Sequence, residues 1–375
     1  MKAAMKNQTQ TAAALAQAST ALAKQPTLIG FDGFVDEIVR MVDKRTGLQE
    51  YTPIATLTQL AERIAGAADQ GTTIELVVER MKLGGNGPIM ANALAAFGAP
   101  VTYIGNLGYP SLHPVFAELA QRAQVLSIAN PAHTDALEFS DGKIMLGKLE
   151  PLNEVTWATL LQRVGAEKLI QLFSEAHLIS LNNWTMVPYM SDIWKNILQQ
   201  ICPHLPATSR TRFIFFDLAD PAKRLATDIR AALDLIAQFK NYFQVILGTN
   251  EKESFEIADV LGIKQPDNSK ASMLRMAQEI RRTLDIHNVV VHPIQYAVAA
   301  SADDVQLVDG PWEPKPLIST GAGDHFNAGF CLGRLLGFDL EQSLLIGVTT
   351  SGFYVRTAQS PAIADLVKFM QNWPQ

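Results

Sequence analysis

Six short runs of apolar, β-favouring residues recur along this chain, at 27–31, 101–104, 177–181, 212–217, 243–247 and 288–292. Helical patterns such as 88–97, 228–239 and 271–284 lie between most of them. Strands that are apolar on both faces and separated by helices share one common solution, a mostly parallel sheet with helices packed on both sides. The expected fold class is therefore α/β. Ligands meet such sheets at the carboxyl ends of the strands, so the residues after each run are where chemistry is to be sought.

A second set of segments departs from this rhythm. Residues 38–42, 73–81, 134–140 and 143–148 alternate or pair as antiparallel pieces, and Asp141-Gly142 between the last two is a type I′ hairpin signal. They predict a small β lid drawn from 37–52, 72–82 and 133–149, inserted into an α/β domain spanning 27–375, with a further helix within 52–71. An exposed lid sheet offers a surface for a homodimer. Residues 1–26 read as a helical extension, an amphipathic helix docked on the first strand. Gln, Ser and Thr interrupt its apolar stretch, so no signal-peptide core forms.

With 375 residues, 48% hydrophobic and 18% charged, the chain can bury a large core and is not disordered. A formal net charge of −6 provides no basic field, so no nucleic-acid partner is expected. No apolar run is long enough to span a bilayer, so no membrane partner is expected either. Cys202 and Cys331 make neither a disulfide framework nor a zinc quartet, which points to a reducing cytoplasm. The seven histidines fall at no metal-ligand spacing.

The most specific local signal is Ser319-Thr320-Gly321-Ala322-Gly323-Asp324-His325-Phe326-Asn327-Ala328-Gly329-Phe330. Small residues before a helix leave backbone N–H groups free for an anion, and the helix dipole favours negative charge there. An acid beside such a cradle supplies what phosphoryl transfer to an alcohol needs, a place for charge and a base for the hydroxyl proton. Gly-x-Gly before a helix also serves simply as a tight turn.

The whole string resembles the second signature of the ribokinase-like (PfkB-type) carbohydrate kinases, and the match runs from Ser319 to Gly329. The resemblance implies a ribokinase-like α/β fold and an ATP-dependent kinase of a sugar or sugar-like alcohol. Asp324 would be the catalytic base, and Gly321, Ala322 and Gly323 the anion hole. Thr320 and Asn327 would lie toward the nucleotide and its phosphates. The helix dipole is expected to keep Asp324 ionised at neutral pH.

Other segments extend the likeness. Leu83-Gly84-Gly85-Asn86-Gly87-Pro88 before a helix is similar to the first signature, placing Gly85, Asn86 and Gly87 in the sugar pocket. In Gly30-Phe31-Asp32-Gly33-Phe34-Val35-Asp36, Asp36 matches the family's substrate-holding aspartate. Asp32 is an additional acid, either a second hydroxyl acceptor or only a turn or N-cap residue. Asn250 and Glu253 fit a helix start with a capping residue. They also match the family's N-x-x-E motif, which would order Mg²⁺ through water. Asn182, Asn183 and Trp184 end a strand at the same rim, and Arg224 is either a phosphate contact or a surface arginine. His325 falls at a variable family position and reads as a neighbour of the base, not a ligand.

The likeness spans about Thr27 to Ala364, with departures. Ile318 stands where relatives carry an acid of a monovalent-cation site, so nothing here supports a potassium requirement. Residues 289–294 replace a Gly-bearing loop near the nucleotide. Two other functions stay open: a kinase of nucleosides or vitamin alcohols, and a non-catalytic sugar or nucleotide sensor on the same scaffold.

Overall fold

The computed structural model describes residues 2–264 and 267–374. Its strands, in chain order, are β1 Thr27–Phe31, β2 Phe34–Arg45, β3 Tyr51–Pro53, β4 Leu76–Gly84, β5 Val101–Gly105, β6 Gln124–Ser127, β7 Ala132–Phe139, β8 Gly142–Lys148, β9 Leu178–Asn182, β10 Phe213–Asp217, β11 Gln244–Thr249, β12 Asn288–Val291, β13 Tyr296–Ala300 and β14 Val305–Asp309. Nine of them form one sheet in the order β14-β13-β12-β11-β10-β9-β1-β5-β6. All neighbours from β12 to β6 are parallel; β13 and β14 are added antiparallel at one edge. The six runs read from sequence all lie in this sheet, whereas β6, β13 and β14 were not anticipated.

Alternation along buried strands feeds two apolar layers. On β10, Ile214 and Phe216 join one layer and Phe213 and Phe215 the other, with Leu28 and Ile29 of β1 split the same way. Strand order reverses at β1: the chain moves to β5 and β6 on one side, then returns to β9, β10 and β11 on the other. A crevice outside the carboxyl ends of β1 and β9 follows from that reversal.

The smaller sheet has the order β3-β2-β7-β8, with β4 on the other side of β2. β2 begins at Phe34, directly after β1, so Asp36 lies inside the strand that leaves the large sheet for the small one. The helix Leu57–Gly66 lies between β3 and β4.

Two local expectations fail. The β7–β8 turn is Ser140-Asp141, with Phe139 opposite Gly142, and neither turn residue has positive φ, so it is not a type I′ turn at Asp141-Gly142. Its geometry is held from outside: Asp141 Oδ1 accepts from Leu57 N at 2.8 Å and Ser140 N donates to Ala55 O at 2.9 Å. The N-terminal helix Lys2–Ala18 packs mainly on the helices Ile363–Gln371 and Leu340–Thr357 rather than on β1. Ala12 and Leu15 are buried there, and Asn7 Nδ2 donates to Glu341 Oε1 at 2.6 Å.

Candidate active site

The turn after β4 is shaped by two carboxylates. Asp32, fully buried after β1, accepts from Asn86 N and Gly87 N, both at 2.9 Å, and from Asn183 Nδ2 at 2.7 Å. It therefore satisfies the first amides of the helix Asn86–Ala96, much as an N-cap would. A Cβ at Gly87 would lie 2.7 Å from Asp32 Oδ1, and one at Gly84 would lie 2.3 Å from Asp36 Oδ1. The Gly-rich turn is thus needed for acids to approach its backbone. Burial pushes the Asp32 carboxyl up to about 6, against the pull of those three donors.

Asn86 carries the turn to the second signature. Its side-chain Nδ2 donates to Asp324 Oδ1 at 3.0 Å. Asp324 stands in the first turn of the helix Ala322–Leu335, whose cap Gly321 has φ +92°. The amides of Gly321 and Gly323 make no backbone hydrogen bond, while Ala322 N turns back to Ser319 O at 3.2 Å. Asp324 is only 8% exposed. Burial and the Asp32 charge push its carboxyl up to about 8, with Asn86 opposing. This corrects the expectation of an ionised aspartate at neutral pH: at one helix end the dipole is worth about 1 kcal/mol, and burial outweighs it.

A cavity of about 320 Å³ lies between these elements. Asp36, Gly85, Asn86, Glu253, Thr320, Gly321 and Asp324 all line it. Phe34, Ile89, Thr134, Met145 and Met186, to which sequence reasoning assigned no role, add to its walls. Asp36 is raised by burial; Lys82 Nζ, 4.0 Å away, is too distant to offset this fully. Asn183, Ala219 and Asp220 also line the cavity, and all three have positive φ, a strain that tends to gather at working sites.

Other predicted residues are engaged elsewhere. Asp32 and Gly87 are buried and do not line the cavity. Asn327, 1% exposed, donates through Nδ2 to Asp217 Oδ2 at 3.0 Å. A Cβ at Gly323 would meet the His292 ring at 3.0 Å. Trp184 is buried, and Arg224 stacks over it while donating through Nε and Nη2 to the carbonyls of Trp184, Thr185 and Val187. Asp217 was missed: it is buried, and burial with the Glu253 and Asp324 charges raises it well above the usual carboxylate range.

Asn250 and Glu253 form a capping box on the helix Glu251–Val260. Asn250 Oδ1 accepts from Glu253 N at 2.9 Å, and Glu253 Oε2 accepts from Asn250 N at 3.0 Å. Glu253 Oε1 also accepts from Asp220 N at 2.9 Å. Among the described residues no three His, Cys, Asp or Glu side chains stand close enough to ligate a metal directly. The Thr249 hydroxyl and Asn327 Oδ1, however, are buried without partners near the raised acids Asp217 and Glu253. An all-oxygen set with uncompensated acids suits a hydrated hard cation such as Mg²⁺ held through its waters.

The sheet order, the crevice at its switch point and the small sheet over it define the class, a ribokinase-like kinase fold. Arabidopsis thaliana ribokinase, solved with ribose and ATP, superposes with TM-score 0.60 at 14% identity over 93% of this chain and 99% of its own. Escherichia coli phosphofructokinase-2 gives 0.62 at 14% over 93% and 99%. The family described as prokaryotic ketohexokinase matches residues 5–373, and the chain belongs to that family of carbohydrate kinases. A ketohexokinase from Haloferax volcanii is 27% identical over 92% of this chain and 91% of its own. No helix among the described residues is long and apolar enough to cross a membrane.

Proposed function

We propose that this protein transfers the γ-phosphoryl group of ATP to a hydroxyl of a ketohexose. One observation carries the reading: Asp324 sits at a helix N-terminus, tied through Asn86 to the turn that lines the cavity holding Asp36. The ketose is favoured because the relative from Haloferax volcanii is a ketohexokinase.

Asp36, Gly85 and Asn86 hold the acceptor. Asp324, once deprotonated, accepts the hydroxyl proton as the new O–P bond forms and the bond from Pγ to the ADP oxygen breaks. The free amides of Gly321 and Gly323 face the charge on the transferred group, and little more than positioning is asked of a loose transition state. Glu253 and Asn250, with Asp217 beneath, would hold hydrated magnesium, which supplies charge neutralisation for the phosphates when bound. The small sheet acts as a lid: Lys143 on β8 already donates to Thr320 Oγ1 at 2.6 Å, bridging the sheet to the loop before Asp324. Its exposed Leu76, Val78 and Leu146 provide a surface for a second copy.

The test is ADP release with a panel of ketohexoses, aldoses, nucleosides and vitamin alcohols. Asp324→Asn is expected to lower kcat for the preferred acceptor by about 10²-fold or more, the general-base scale. Turnover with nucleosides alone would overturn the ketohexose reading, and near-normal turnover in the variant would overturn the base.

A further inference from the structure

The loop before Asp324 is held from behind by two aromatic rings. Tyr354, on the helix Leu340–Thr357, donates its hydroxyl to Thr320 O at 3.0 Å. His325 Nδ1 lies 2.7 Å from Gly321 O, which also accepts the His325 backbone amide at 3.1 Å. The two rings stack, centroids 3.7 Å apart and planes 15° from parallel.

A carbonyl only accepts, so Nδ1 of His325 carries the proton and Nε2 is the acceptor. Ser360 Oγ, 2.9 Å from Nε2, is then the donor. Ser360 Oγ in turn accepts from Asn92 Nδ2 at 3.2 Å. Asn92 belongs to the helix Asn86–Ala96, which begins at the acceptor turn. A relay thus runs from that helix through Ser360 and His325 to Gly321. Burial holds the imidazole near 4, so it remains neutral and keeps this tautomer.

The peptide group is planar and trans, so the direction of a carbonyl sets the opposite direction of the N–H in the same plane. Thr320 C=O shares its plane with Gly321 N–H, and Gly321 C=O shares its plane with Ala322 N–H. Fixing the Thr320 carbonyl therefore aims the free Gly321 N–H, and fixing the Gly321 carbonyl holds the next plane, whose Ala322 N–H turns back to Ser319 O, so the loop is set where it enters the helix. A side chain at Gly321 would crowd this clamp: a Cβ there would lie 3.2 Å from Tyr354 Oη and 3.3 Å from Ile89.

We propose that His325 and Tyr354 are positioning residues that clamp the anion-hole loop, and that the Asn92–Ser360–His325 relay couples this clamp to the acceptor helix. The inference rests on reading the loop as the anion hole. Neither ring lines the acceptor cavity, so the clamp acts on the transition state and not on acceptor affinity.

The test uses the full chain with Tyr354→Phe, His325→Phe and His325→Asn. Tyr354→Phe keeps the stack and removes one hydrogen bond; kcat is expected to fall roughly three- to tenfold, with KM for acceptor and ATP unchanged within about twofold. His325→Phe is expected to fall further, and His325→Asn, whose amide can replace Nδ1–H, to recover most of the loss. Hydrogen exchange read on peptides covering residues 316–330 should quicken in Tyr354→Phe and His325→Phe while the rest of the chain is unchanged. Unaltered kcat in both Phe variants, or a loss that lies in KM, would overturn the clamp. If wild type turns over no acceptor, the kinase reading fails instead, and the exchange measurement still decides: unchanged exchange at 316–330 overturns the clamp.

Discussion

Replacing Asp324 by Asn should move stability and activity in opposite directions. The folded protein holds a proton on Asp324 up to about pH 8, while the unfolded chain releases it near 3.8. Between those values the folded state binds more protons, so stability falls as pH rises. The shift of about four units corresponds to about 5–6 kcal/mol lost in full above pH 8, at 1.36 kcal/mol per unit. Asn keeps an oxygen for Asn86 Nδ2 and carries no charge to bury, so the variant escapes this loss. From pH 5 to pH 8 its advantage should grow by about 4 kcal/mol. A chain of 375 residues has an unfolding entropy near 0.8 kcal/mol/K, so the gap in Tm should widen by roughly 5 °C. The assay is thermal melting of both ligand-free proteins at pH 5, 6, 7 and 8. Any fixed offset from the substitution cancels, because only the change in the gap with pH is read. A gap constant within about 1 °C would refute the argument that burial and the Asp32 charge govern this aspartate.

The same raised carboxyl sets the rate profile: kcat/KM should climb about tenfold per pH unit and level off near pH 8, and a flat profile from pH 6 to 9 would remove Asp324 as the base of the free enzyme. Gly321→Ala places a Cβ at φ +92° against Tyr354 and Ile89, and should lower kcat at least tenfold in steady-state assays. Glu253→Gln can keep both capping-box bonds but gives up the bond from Asp220 N and the charge, so Mg²⁺ titration of activity should show a weaker midpoint with Tm lowered by only a few degrees, about the cost of one hydrogen bond. Replacing K⁺ by tetramethylammonium should leave turnover within about twofold, since Ile318 supplies no acid and Thr320 and Gly321 carbonyls already accept from Tyr354 and His325.

What could be read beforehand was what is written locally. The turns at Gly84–Gly87 and Gly321–Gly323 announce close approach to backbone, and the alternation of apolar strands with helices announces the parallel sheet. The Asn250–Glu253 cap is likewise a four-residue affair. The occupants of each carboxylate were not legible. Asp32 reads equally as a hydroxyl acceptor or as a turn or N-cap residue, and only the donors from Asn86, Gly87 and Asn183 decide for the cap. Asp217 gained its setting from Asn327, 110 residues away, and from Glu253. Arg224 gave no local sign that it would turn inward onto Trp184. The protonation of Asp324 was misjudged for the same reason: the helix end is visible in sequence, whereas burial beside Asp32 is a product of the fold.

The continuity of β2 has a mechanical side. At about 3.3 Å per residue its twelve residues make an arm of roughly 40 Å, anchored where it leaves the large sheet. Asp36 is the third residue, so it sits close to the pivot. A swing of about 10° would carry the far end some 7 Å and Asp36 only about 1 Å, given the same rise per residue. If the small sheet is the lid proposed above, access to the cavity and grip on its occupant would be geared differently: the far end would travel while the hinge-side carboxylate barely moved, and one strand would serve both as gate and as fixed jaw.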